Sequence, residues 1–123
     1  MIDETFLAVP PSSVAAAFAD PGAWRRFWPD LRLAVYADRG LEGLRWTVRG
    51  ALVGTMEVWL EPVLDGTVLH YFLRADFPPG GAIKAIRAVK EAQRRQRAAK
   101  AVALELKFVL EDGRPPGIAP ANG

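Results

Sequence analysis

From Leu31 to Ala75 the chain changes character at every second residue, and no other feature restricts its fold as much. Leu31, Leu33 and Val35 share one side of a first run, Leu31 to Ala37. Leu44, Trp46 and Val48 alternate with Arg45, Thr47 and Arg49 in a second. Met56, Val58 and Leu60 oppose Glu57, Trp59 and Glu61 in a third, Val53 to Val63, and a fourth spans Thr67 to Ala75. Alternation of period two marks half-buried strands. With a short apolar run at Thr5 to Val9, ended by Pro10-Pro11, it predicts an antiparallel sheet of five strands with one apolar face. That face needs a cover.

Turn chemistry sets the expected register. Asp65-Gly66 reads as a two-residue hairpin loop. Leu64 then faces Thr67, Leu60 faces Tyr71 and Val58 faces Leu73 on the apolar side. On the other side Glu57 meets Arg74, Glu61 meets His70 and Trp59 meets Phe72. Opposite charges across strands are worth about 0.2–1 kcal/mol per pair. A three-residue loop at Gly50-Ala51-Leu52 sets Trp46 beside Met56 and Arg45 beside Glu57.

Three helices are expected to supply the cover. Ser12 to Asp20 is alanine-rich, with serines suited to cap its start. After the break at Pro21-Gly22, Ala23 to Trp28 sets Trp24, Phe27 and Trp28 on one face. Beyond Pro78-Pro79-Gly80-Gly81 a long helix is predicted from Ala82 to about Glu111. Its stripe is Ile83, Ile86, Val89, Ala92, Gln96, Ala99, Ala103, Leu106 and Leu110. At 1.5 Å per residue such a helix is about 45 Å long, enough to cross a small sheet. Asp112 to Gly123 lacks periodicity and reads as a disordered tail, leaving a single domain over residues 1–111.

Composition narrows the function classes. The 123 residues carry 16 Lys and Arg against 14 Asp and Glu, a net charge of +2, which excludes a grossly polycationic chain. There is no cysteine, so disulfides, thiol nucleophiles and Cys-ligated metals are excluded. With one histidine, a multi-ligand zinc site is not expected either, nor is any cofactor. The N-terminus lacks the pattern of a signal peptide and no apolar run is long enough to span a bilayer, which points to a cytoplasmic protein.

The order of elements, one strand, two short helices, antiparallel strands and one long C-terminal helix, resembles the α+β helix-grip fold. The chain is similar to the START-like superfamily, also called SRPBCC or Bet v 1-like, and within it to the bacterial polyketide cyclase/dehydrase branch. The likeness rests on Val9-Pro10-Pro11-Ser12-Ser13-Val14-Ala15-Ala16-Ala17-Phe18, on Asp20-Pro21-Gly22-Ala23-Trp24, on Phe27-Trp28-Pro29 and on Asp65-Gly66-Thr67-Val68. Members usually have seven strands, so a sheet of about five is a reduced form with a hairpin missing or shortened. What the resemblance implies is a cavity between a curved sheet and the last helix, occupied by a lipid, a polyketide-like compound or another apolar ligand.

The residues expected to line that cavity are Trp24, Phe27, Trp28, Trp46, Met56, Val58, Leu60, Tyr71 and Leu73. Tyr71 and Trp46 carry polar handles that can orient a ligand, and Gln93 and Gln96 are candidates to face the same space. No catalytic residue is assigned. One alternative is an aromatase/cyclase-type enzyme in which Tyr71, with His70 or Arg45, polarises a carbonyl or moves a proton. Another is a non-ligand interaction module whose cavity is filled by side chains and whose basic helix binds an anionic partner. Pattern places His70 on the solvent side, Glu57 and Glu61 on a charged face, and Ser12 and Ser13 at a helix cap. Lys84, Arg87, Lys90, Arg94, Arg95, Arg97, Lys100 and Lys107 gather on the long helix. A solvated face explains them, and so does contact with an anionic membrane surface or another anionic partner. Nucleic acid ranks below membrane because no aromatic residues are interleaved with the charges. The oligomer is a monomer or a homodimer.

Overall fold

The computed structural model describes residues 1–78 and 85–111. In chain order it holds β1 (Ile2–Leu7), α1 (Pro11–Phe18), α2 (Pro21–Phe27), β2 (Leu31–Asp38), a 3₁₀ turn (Gly40–Glu42), β3 (Gly43–Gly50), β4 (Val53–Val63), β5 (Gly66–Asp76) and α3 (Ala85–Leu110). The strands form one antiparallel sheet in the order β1-β5-β4-β3-β2. Its inner face carries Leu44, Trp46, Val48, Met56, Val58, Leu60, Leu69, Tyr71 and Leu73, all buried. The expected loop between β3 and β4 is as read, with Trp46 opposite Met56 and Arg45 opposite Glu57. The tail at 112–123 and the predicted helix start at 82–84, with Ile83 and Lys84, lie outside the described residues.

The β4–β5 hairpin corrects the sequence reading. Its loop is Leu64–Asp65, so Val63 pairs with Gly66, Val58 with Tyr71 and Met56 with Leu73. Glu57 faces Phe72 rather than Arg74, and Trp59 faces His70. Gly66 is needed inside the ladder, because a Cβ there would sit 2.4 Å from the Leu7 carbonyl and 2.6 Å from the Phe6 ring. Leu64 takes the left-handed turn position instead, at φ 53°. The slip is two residues, which keeps every side chain on its expected face.

Helix starts also differ. Pro10 stands at the N-cap of α1, Pro11 opens the helix, and neither Ser12 nor Ser13 caps it with a side chain. Asp20 caps α2 by accepting from the Gly22 amide at 2.9 Å, so Pro21-Gly22 begins that helix rather than separating it from α1.

α3 lies along the edge strand β1. Gln96 Nε2 donates to the Ile2 carbonyl, Lys100 Nζ to that of Glu4 and Lys107 Nζ to that of Phe6. The Ala8 amide donates to the buried Glu111 carboxylate at 2.8 Å. These side chains, on one flank of the helix, satisfy the backbone groups that an edge strand otherwise leaves open. Gln96 therefore serves β1 and not a cavity. Arg95, Ala99, Ala103 and Leu106 form the buried flank, while Ile86 (67% exposed) and Val89 (56%) stand in solvent. These two residues of the predicted stripe do not face the sheet. No described helix is long and apolar enough to cross a membrane.

Candidate functional site

An aromatic layer fills the inner face. α2 and its C-cap deliver Trp24, Phe27 and Trp28 onto the sheet. Trp28 stacks on Tyr71 with centroids 6.0 Å apart, and Trp46 meets Trp24, Trp28 and Phe18 edge-on at 5.5, 5.8 and 6.5 Å. Trp24 Nε1 donates to the Phe18 carbonyl at 2.6 Å, and Tyr71 Oη donates to Met56 Sδ at 3.1 Å. Burial drives the Tyr71 hydroxyl pKa upward, so it remains a neutral donor at physiological pH. Trp46 Nε1 is buried with no hydrogen-bond partner among the described residues.

A hollow of about 280 Å³ lies between β5 and the first part of α3, lined by Leu73, Ala88, Ala92 and Arg95 among others. Farther along the helix, at Ala99 and Ala103, the cavity expected between the sheet and α3 is closed. What remains there is about 10 Å³, bounded by Phe18, Trp28, Val58, Leu69, Tyr71, Ala99, Val102 and Ala103. The reason is physical: Ala99 and Ala103 let α3 approach, and the stacked Trp28 and Tyr71 rings occupy the space a ligand would need.

Open volume lies under α1 instead. A groove of about 550 Å³ runs between Ser12, Ala15, Ala16 and Ala19 on α1 and Val35, Asp38, Gly40, Leu41, Gly43 and Leu44 on the β2–β3 side. Phe18, Trp24, Val58 and Leu60 complete its lining. Leu41 (61% exposed) and Val35 (40%) leave apolar surface at its mouth. Of the nine residues read from sequence, Trp24, Val58 and Leu60 line this groove. Trp28 and Tyr71 border the closed space with Val58, and Leu73 borders a hollow of about 280 Å³ at the other end of the sheet, near Phe77 and Ala92. Phe27, Trp46 and Met56 belong to the packed core. The sequence signal for the groove was the alanine run of α1, which reads as helix propensity but also supplies small side chains at its roof.

The groups of the enzyme alternative are not brought together. Tyr71 is on the inner face, whereas His70 is on the outer face, stacked on Trp59 at 4.3 Å. His70 Nε2 is 3.0 Å from Glu61 and Nδ1 3.3 Å from Glu4, so it is buried among side chains rather than on the solvent side. Arg45 binds Glu57 on the outer face at 3.0 Å, and this hydrogen bond raises its pKa further. Among the described residues no group of three or more His, Cys, Asp or Glu could hold a metal ion.

One charged cluster has a buried member, Arg95. The buried guanidinium of Arg95 grips both carboxylate oxygens of Asp30 and donates to Glu91 at 2.9 Å, and Arg94 binds the same two acids. Burial pushes the Asp30 carboxyl up, but the Arg95 and Arg94 contacts outweigh it and the net pKa is lowered. Glu91 is lowered chiefly by its hydrogen bond from Arg94. This cluster fastens α3 to the turn between α2 and β2. It missed recognition in the sequence because its members are 65 residues apart.

No protein-family model matches the sequence, and no curated protein matches it. Solved structures do. The Aha1 dimer structure from Colwellia psychrerythraea aligns at TM-score 0.62 and 13% identity, over 94% of this chain and 98% of that one. DR_A0006 from Deinococcus radiodurans aligns at 0.61 and 14%, over 87% and 95%. The Mll3558 protein from Rhizobium loti aligns at 0.58 and 18%, over 85% and 94%. At such identities the likeness defines the fold. The chain shares the fold of these structures, a helix-grip α+β fold in a five-stranded form.

Proposed function

We propose that the protein binds an apolar small molecule in the groove beneath α1. The observation that supports this reading is an apolar-lined space of about 550 Å³ under α1, against about 280 Å³ beside Leu73 and about 10 Å³ beneath Ala99 and Ala103. Small-ligand sites have volumes of roughly 300–1,000 Å³. Trp24, Val58 and Leu60 touch the ligand in this reading. Phe27, Trp28, Trp46, Met56, Tyr71 and Leu73 hold that wall rigid from behind or beside it. Removing Leu41 and Val35 from water favours binding by about 25 cal/mol per Å² of apolar surface covered. A lipid or polyketide-like compound is of the right class.

Titration with N-phenyl-1-naphthylamine, a neutral apolar dye, tests the reading. Its emission should rise saturably with the native protein and fail to rise with Ala16→Trp, which puts an indole into the groove. Ala101→Trp, on the exposed side of α3, should leave binding unchanged. A dye that ignores the native protein, or binds Ala16→Trp equally well, overturns the reading.

A second reading concerns the basic helix. Arg94, Arg95, Lys100 and Lys107 are engaged with carboxylates, but Arg87, Lys90 and Arg97 are exposed with no ion pair among the described residues. Exposed Ile86 and Val89 stand beside them, a combination suited to the surface of an anionic bilayer. Sedimentation with phosphatidylglycerol vesicles should be lost at high salt and absent with phosphatidylcholine. Binding indifferent to lipid charge removes this reading.

A further inference from the structure

Resting on the groove reading, we infer that the ligand carries a cationic head, an amine or quaternary ammonium group, on its apolar body. β2 carries a bulge. Val35 pairs with Trp46, yet Ala37 pairs with Arg45, so Tyr36 is an extra residue in the strand. Had the alternation of Leu31, Leu33 and Val35 continued, Ala37 would face inward and Asp38 outward. The bulge reverses this. Asp38 pairs with the inward residue Leu44 and lines the groove.

The carboxylate so placed has no counter-ion. Asp38 Oδ1 accepts from the Gly40 amide at 2.9 Å, and it makes no ion pair among the described residues. The guanidiniums nearest in the chain are held elsewhere: Arg39 lies 3.5 Å and Arg45 3.0 Å from Glu57, and Arg39 also binds Glu42. Among the described residues no Lys or Arg lines the groove. None lines the hollow of about 480 Å³ adjoining it across Leu41, where the charged residue is Glu42. An anionic ligand would meet the Asp38 carboxylate with no cation among the described residues to balance it. A cation would meet Asp38 and, elsewhere in the lining, the indole of Trp24, and aromatic faces attract positive charge.

Three ten-carbon probes that differ in head group separate this inference from the reading beneath it. Calorimetric titration should find decyltrimethylammonium bound about tenfold more tightly than 1-decanol, with decanoate weakest. Asp38→Asn keeps an acceptor for the Gly40 amide, and should reduce the ammonium preference over decanol to about twofold and narrow the gap between decanol and decanoate. Asp65→Asn, at the distant hairpin tip, controls for net charge and should change neither. Equal affinity for ammonium and alcohol, tighter binding of decanoate, or a preference that survives Asp38→Asn overturns the inference and leaves the groove reading in place. Failure of all three probes to bind overturns both.

Discussion

Both α1 and α3 lie over the apolar side of one sheet and both turn alanines toward it, yet the space beneath Ala99 and Ala103 of α3 is about 10 Å³ and that under α1 about 550 Å³. The difference lies in what ties each helix down. α3 is drawn in along its length by Arg95 on Asp30, by Gln96, Lys100 and Lys107 on the β1 carbonyls, and by Glu111 on the Ala8 amide. Ala99 and Ala103 then become points of close approach. α1 is eight residues long and is anchored by Val14 and Phe18, which are buried, while Ala16 and Ala19 stay exposed. Small side chains close a gap where other contacts pull the helix in, and leave a hollow where none do.

Emptying the closed side should cost most. Trp28→Ala removes the ring that stacks on Tyr71 and should lower stability by about 3–5 kcal/mol in urea unfolding. A loss under 1 kcal/mol would mean that the space under α3 is not packed as described. The same substitution on both sides comes next. Ala103→Leu should overpack the α3 side by about 1–3 kcal/mol. Ala16→Leu should change stability by less than about 0.5 kcal/mol while weakening the binding of the neutral dye. Equal stability losses at the two sites would erase the contrast.

Smaller effects sharpen it. Tyr71→Phe removes only the hydroxyl that donates to Met56 Sδ and should cost about 0.5–1.5 kcal/mol, with dye affinity unchanged. Acid should loosen α3 before it affects the groove. Asp30 and Glu91 have folded-state pKa values below their unfolded ones, so their contribution is fully present above the ordinary carboxylate range and is lost as pH falls through the lowered values. Unfolding midpoints between pH 6 and pH 2 should therefore drop in the native protein, and the drop should shrink in Asp30→Asn. An unchanged slope in that variant would detach the cluster from acid stability.

Sequence carries the faces of this sheet better than its pairings. Met56, Val58, Leu60, Tyr71 and Leu73 are inward in both the reading and the structure, because a two-residue slip at Leu64–Asp65 preserves sidedness. The slip itself was hidden, since Asp65-Gly66 is a strong turn signal and the need for Gly66 arises from β1, distant in sequence. The bulge at Tyr36 was hidden too, because Ala37 continues the alternation of Leu33 and Val35 without a break. The location of the hollow depends on how nearly each helix approaches the sheet. Helix periodicity says which flank is apolar, not how far it descends, and the polar residues that pull α3 down read as ordinary surface.

The account stands or falls on where an apolar guest sits. A ¹H–¹⁵N correlation titration with 1-decanol locates it residue by residue. Saturable shifts concentrated at Ala15, Ala16, Leu41 and Leu44, with Ala99 and Ala103 unmoved, are the predicted result. Shifts centred on Ala99, Ala103 and Tyr71 would place the guest beneath α3 and contradict it.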